Sequence, residues 1–282
     1  YASFGFKVSD GTALSSAAYA MTFNVTAVND APTLSTFALP VTSGNEDNQI
    51  TVSFANLQTQ GNEADIDGSV SAFVVKAVSA GTLKIGSSST TAAAWAAGTN
   101  DVIDATHLAY WTPAANANGN LNAFTVVAKD NSGAVSTSAV QAKVSVVNVN
   151  DSPTGSVNIT GTTTQGQVLT ATNTLADIDG MGSISYQWLS NGTAITGATA
   201  SSFTLTQAQV GKAMTVTASY TDLLGTAESK TSSATTSVVN INDAPTASNR
   251  SLTAVEDTAR VLSVGDFGFA DVDPGNTLQK VT

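Results

Sequence analysis

Three loops in this chain carry two aspartates one residue apart: Asp65-Ile66-Asp67-Gly68, Asp177-Ile178-Asp179-Gly180 and Asp271-Val272-Asp273-Pro274. On a loop turned by Gly or Pro, both carboxylates can converge on one cation. Upstream of each loop stands an Asn-Asp pair, Asn29-Asp30, Asn150-Asp151 and Asn242-Asp243, inside the phrase Asn-Asp-Ala/Ser-Pro-Thr. Each pair adds a carboxylate, an amide oxygen and backbone carbonyls. This is the donor set of calcium, which takes six to eight oxygens. Carboxylates so gathered repel one another until a cation joins them. The competing reading is ordinary turn chemistry, which Asp-x-Asp-Gly and Asn-Asp serve in many proteins. Recurrence of the set in register favours calcium over isolated turns.

The elements that must position these residues also repeat. The linker aspartates Asp30, Asp151 and Asp243 lie 121 and 92 residues apart, which are domain lengths. Each linker follows a β-prone run such as Val144–Val149, and its Pro favours an extended joint. A turn signal, at Asp10, Asp130 and Asp222, precedes each linker aspartate by 20 or 21 residues. Strand-forming runs lead into those turns: Phe4–Val8, Phe124–Ala128 and Val216–Tyr220. Every domain therefore closes with strand, turn, strand and linker. Acidic pairs also open two of the domains, Glu46-Asp47 and Glu256-Asp257, whereas the middle one has Gln165-Gly166-Gln167.

The chain parses as the closing hairpin of one β-sandwich (1–30), a whole domain (34–150), a second whole domain (154–242) and the opening part of another (246–282). It reads as a piece of a longer repetitive protein. Short Thr-, Val- and Ser-rich runs between Gly, Asn and Asp predict an all-β chain of Greek-key sandwiches in tandem. Helical signals are weak: a turn over Thr91–Ala97 and a one-turn helix over Thr206–Gly211. An unpaired sheet edge is expected in 1–30.

Composition narrows the function. Lys and Arg total 10 against 21 Asp and Glu, so the net charge of −11 argues against nucleic acid or an anionic membrane surface as partner. No apolar run is long enough for a transmembrane helix. The first residues lack the basic and apolar regions of a signal peptide. Absence of Cys removes disulfides, thiolate nucleophiles and Cys-ligated zinc. His107 is the sole histidine, which leaves no His-paired site built from two, and the acids gather at domain ends rather than across a cleft. The expectation is a non-enzyme. Trp95, Tyr110 and Trp111 keep a ligand-binding alternative open, against the commoner fate of strand aromatics as core; Trp188 reads as core. The sequons at Asn24, Asn158, Asn191 and Asn249 carry no weight in so Thr-rich a chain.

The Asn-Asp-Ala-Pro-Thr joints, Asp-x-Asp loops and Glu-Asp openings resemble the tandem cadherin-like repeats of giant bacterial surface adhesins, including RTX-type, biofilm-associated proteins. Leu108–Asn116, Asn118-Gly119 and Phe124–Val126 are similar to the closing half of such a repeat. Tyr186-Gln187-Trp188-Leu189, Asn191-Gly192 and 201–210 look like the bacterial immunoglobulin-like repeat of the same proteins. The resemblance implies Ca2+ at the joints. It assigns Asn29, Asp30, Asn150, Asp151, Asn242 and Asp243 as linker ligands. Asp65, Asp67, Asp177, Asp179, Asp271 and Asp273 follow as ligands from the next domain. Glu46 and Glu256 match the acidic opening, which serves the far end of its own domain. It further implies a secreted, cell-surface stalk segment for adhesion or biofilm formation, with neighbouring repeats as partners. The alternative is a module of such a protein that binds host or surface glycans or proteins.

Overall fold

The computed structural model describes residues 2–273 and 275–282. The chain divides into two compact units, residues 1–149 and 150–282. Nearly all regular structure is β, as the composition of the runs predicts.

The first unit opens with the antiparallel hairpin Ala2–Phe6 and Tyr19–Phe23. This is a two-stranded sheet by itself, with Phe4, Tyr19 and Phe23 exposed and the Phe4 and Phe23 rings stacked. A sandwich follows. One sheet has the strand order Thr42–Asn45, Val140–Val147, Gly119–Asp130, Val70–Val78, Val102–Ile103. The other runs Ile50–Val52, Leu108–Thr112, Thr82–Gly86, Ala93–Ala94. The chain passes repeatedly from sheet to sheet, so each layer combines one consecutive pair with strands from distant parts of the chain. Trp111, Phe73 and Phe124 are each fully buried between the layers.

Two features position the later site. Thr42–Asn45 runs parallel to Val140–Val147, with Asn45 opposite Val147, so the next residue, Glu46, arrives at the end of its own domain. The strand Gly119–Asp130 ends on an aspartate that is 1% exposed.

The second unit holds another sandwich, with the sheets Val157–Thr160, Val168–Asn173, Ser202–Thr204 and Thr193–Ala194, Ser185–Ser190, Met214–Thr221, Ala227–Thr231. Alternation is plainest in Met214–Thr221, where Met214, Val216, Ala218 and Tyr220 are buried and the residues between them are less so. These pack with the fully buried Trp188. Among the described residues of 246–282 there is no regular strand, and the helical element is the 3-10 turn Val264–Phe267.

Helical expectations met two outcomes. Gln207–Gln209 is a 3-10 helix capped by Thr206, as its sequence predicts. Thr91–Ala97 is not helical: Ala93–Ala94 pairs with Thr82–Gly86, and Asn100 Nδ2 donates to the carbonyls of both alanines. Isolated helical-type hydrogen bonds stand at its two ends, from Ala92 N–H to Ser88 O and from Asn100 N–H to Ala96 O. An isolated alanine run this short cannot offset helix nucleation, whereas edge pairing satisfies its backbone directly. Sequence reading also missed the helix Phe54–Gln60, whose Ser53 cap exchanges hydrogen bonds with Asn56 while Leu57 enters the core.

Trp188→Ala should cost about 3–5 kcal/mol, the range for deleting a buried large aromatic. Ile178→Ala, at an exposed position, should stay within about 0.5 kcal/mol of the parent protein. Chemical denaturation followed by circular dichroism separates the two.

Candidate calcium-binding joints

The same backbone clamp occurs at all three linkers. The Thr after the linker Pro pairs antiparallel with the Ala before the Asp-x-Asp loop: Thr33 with Ala64, Thr154 with Ala176, Thr246 with Ala270. In each case both N–H groups donate across, at 2.7–3.3 Å, and the Thr hydroxyl adds a bond to the Ala carbonyl. Pro32 and Pro153 are buried beside their clamps.

This register sets each linker aspartate on the second aspartate of its loop. Asp30 N–H meets both Asp67 carboxylate oxygens, at 3.3 and 3.1 Å. Asp151 N–H donates to Asp179 Oδ2 at 2.6 Å, and Asp243 N–H to Asp273 Oδ2 at 2.6 Å. Within the loops the first aspartate takes the backbone N–H of the second, at 3.3 Å for Asp65, 2.9 Å for Asp177 and 2.9 Å for Asp271. Turn chemistry and the gathering of acids are therefore both present, on different oxygens of one loop.

Asp65 shows the division. Its Oδ1 accepts from Asp67 and Gly68, while its Oδ2 is buried with no hydrogen-bond donor. A Cβ on Gly68 would lie 2.8 Å from that oxygen and 2.6 Å from Asn131 Oδ1. Glycine is what lets the two oxygens approach here. Glu63, two residues earlier, likewise has an oxygen buried without a donor, and burial pushes its carboxyl above the ordinary range.

The closing turn supplies a residue that the sequence reading treated only as a turn. Asp130 Oδ1 accepts from Ser132, Gly133 and Ala134, and Oδ2 accepts Asn29 Nδ2 at 2.8 Å. The Asn29 bond, joined by those backbone bonds, holds Asp130 below the ordinary carboxylate range. Its position, 21 residues before the linker, was the available signal. Asp222, its counterpart, accepts Thr226 N–H on Oδ1 and keeps Oδ2 buried without a donor. Asn150 turns instead to Glu228 Oε1 at 2.8 Å, and the Tyr220 hydroxyl donates to Asp177. Burial, followed by that bond to Asp177, raises the Tyr220 pKa, so Tyr220 remains a neutral donor.

Glu46 is 2% exposed. Its backbone N–H donates to Val147 O at 3.0 Å, and its Oε1 accepts Val149 N–H at 2.7 Å. Its Oε2 is buried without a donor. Glu256 is exposed, on a turn where Asp257 is left-handed (φ 56), as Asp47 is beside Glu46 (φ 54). No hydrogen bond joins Glu256 to Asp271 or Asp273 among the described residues; Pro274 lies outside them.

The aromatics singled out for ligand binding are mostly interior. Trp111 is fully buried and donates to Ala80 O, and Tyr110 is 5% exposed. Trp95 is half-buried against the core with its indole N–H on Val75 O. His107 is exposed; Asp104 and Thr106 both meet the same ring nitrogen, Nδ1, so no relay runs through the imidazole from acid to hydroxyl.

Compared with known protein families and characterised proteins, the sequence matches none. Among solved structures it is similar to the fibronectin(III)-like modules of Clostridium thermocellum CbhA (16% identity, TM-score 0.23, 74% of this chain and 94% of that one). It is also similar to the eight N-terminal Ig domains of Down Syndrome Cell Adhesion Molecule (14%, TM-score 0.30, 86% and 28%). A third is a Ca2+-stabilized adhesin with which an Antarctic bacterium binds ice (16%, TM-score 0.31, 87% and 58%). The chain thus spans 28% of the Ig array and 58% of the adhesin. Scores this low leave function to be argued from the joints.

Asn29→Ala should raise the Asp130 pKa toward the ordinary value of about 3.9. Because the folded value is depressed, the stability Asp130 contributes is present above the ordinary carboxylate range and fades as pH falls through the folded value. A carboxyl-carbon NMR titration in EGTA should show the Asp130 midpoint moving upward in the variant.

Proposed function

We propose that this chain is a structural extender, or stalk, segment of a large bacterial cell-surface adhesin, whose interdomain joints are stiffened by Ca2+ for cell adhesion or biofilm formation. The observation that carries the reading is the repeated gathering of linker and loop aspartates by one clamp. The buried, donorless carboxylate oxygens of Glu46, Asp65 and Asp222 support it, because a desolvated anionic oxygen needs a cation or a proton. The donor set is all oxygen, which suits a hard cation. Asp30, Asp65, Asp67 and Asn29 would serve the first joint, with Glu63, Asp130 and Asn131 beside them. Asn150, Asp151, Asp177 and Asp179 would serve the second.

Calcium, when bound, supplies positive charge that joins carboxylates which otherwise repel. The chain's own part is to hold the acids: the Thr–Ala clamp fixes the linker, and backbone N–H groups fix one oxygen of each loop aspartate. The likeness to cadherin-like and immunoglobulin-like repeats of RTX-type adhesins supports a secreted, cell-surface setting and neighbouring repeats as the immediate partners. Burial of Trp111 and Tyr110 weakens the alternative of a glycan- or protein-binding module built on those residues.

Small-angle X-ray scattering should give a long, narrow particle in calcium that becomes shorter on average and more flexible in excess EGTA. A profile unchanged by chelation would return the acidic loops to turn chemistry. A ligand at 100 times its dissociation constant stabilises the state it binds by about 2.7 kcal/mol. Asp65→Asn with Asp67→Asn should remove stabilisation of about that size from the first joint and lower its calcium affinity in a calorimetric titration.

A further inference from the structure

Gln165 and Glu46 occupy equivalent places in their domains, although their sequences show no shared phrase. Asn45 pairs parallel with Val147, and Thr164 pairs parallel with Val239; both valines stand four residues before a linker aspartate. The next backbone N–H repeats the match, Glu46 to Val147 O at 3.0 Å and Gln165 to Val239 O at 2.9 Å. So does one side-chain oxygen, with Val149 N–H donating to Glu46 Oε1 at 2.7 Å and Ile241 N–H to Gln165 Oε1 at 3.1 Å.

The second side-chain atom differs. In Glu46 it is an oxygen, buried without a donor. In Gln165 it is Nε2, which donates to Asp243 Oδ2 at 2.8 Å. The amide cannot be turned round, because its oxygen must face the Ile241 N–H. A neutral donor therefore stands against the linker carboxylate. Two more amides surround the same acids: Asn240 Nδ2 donates to Asp273 Oδ1 at 2.8 Å, and Asn276 Nδ2 to Asp271 Oδ2 at 3.2 Å. Among the described residues, none of the buried donorless oxygens belongs to Asp243, Asp271 or Asp273.

We propose that Gln165 makes the joint after the second sandwich self-sufficient: amide donors meet its carboxylates where the other joints need a cation. Every acid there has a donor, so little electrostatic strain is left for an ion to relieve. A row of joints would then mix calcium-dependent stiff points with points that hold at any calcium level. Gln165 supplies the donor that Glu46 lacks at the equivalent place, and Asn240 and Asn276 add to it. The contrast rests on the calcium reading of the other joints; the amide lock itself does not.

The test is peptide-resolved hydrogen exchange on the full chain, in calcium and in EGTA, for the parent protein and for Gln165→Glu. In the parent, the Ile241 and Asp243 amides should keep their protection in EGTA, while those of Val149 and Asp67 lose theirs. Gln165→Glu sets carboxylate against carboxylate. It should speed exchange of Ile241 and Asp243 in EGTA by about tenfold or more, the factor given by losing one hydrogen bond to a charged group. Calcium should restore them. The strand Met214–Thr221 should exchange as in the parent, which shows that the domain is folded.

If Gln165→Glu exchanges at the parent rate in EGTA, the amide lock is wrong. It is equally wrong if the parent's Ile241 and Asp243 open on chelation as far as Val149 does. If Val149 and Asp67 ignore chelation, the calcium reading fails instead, while acceleration in the variant still supports the lock.

Discussion

One backbone contact governs the rest: the antiparallel pairing of a linker Thr with the Ala ahead of an Asp-x-Asp loop. Two N–H···O bonds and a Thr hydroxyl hold a connecting segment that would otherwise sample many conformations. Proline stiffens the entry by removing a donor and restricting the residue before it. With the register set, the linker aspartate falls on the loop at the same place each time. A slip of one residue would turn its carboxylate away from the loop.

Burial then decides what those carboxylates require. At the surface an aspartate beside another is a mild problem, screened by water and salt. Asp130 and Glu46 are almost wholly buried, where an anionic oxygen must be met by donors or by a cation. Asp130 is met by three backbone N–H groups and Asn29. Glu46 and Asp65 each have only one oxygen met. Asp243 is met by the Gln165 amide. The chain thus offers different answers to one electrostatic demand, laid on the same backbone frame.

Much of this was legible beforehand. Strand-forming runs such as Val216–Tyr220, the Pro in each linker and the recurrence of linker, loop and closing turn pointed to tandem all-β sandwiches. The short capped helix at Phe54 was not legible, since one apolar turn gives too little periodicity. Ala-rich 91–97 misled because helix propensity is weak beside pairing with a neighbouring strand.

The sequence alone pointed to which residue types stand at the joints, because linker, loop and closing turn recur in local phrases whose spacing can be counted. Only the tertiary structure decided which oxygens of those residues are left without a donor. It also decided that Gln165 stands where Glu46 stands, and that Asp130 reaches back to Asn29 across 101 residues. Those relations depend on parallel strand pairing and on burial, which join segments far apart in the chain and leave no mark in either segment by itself.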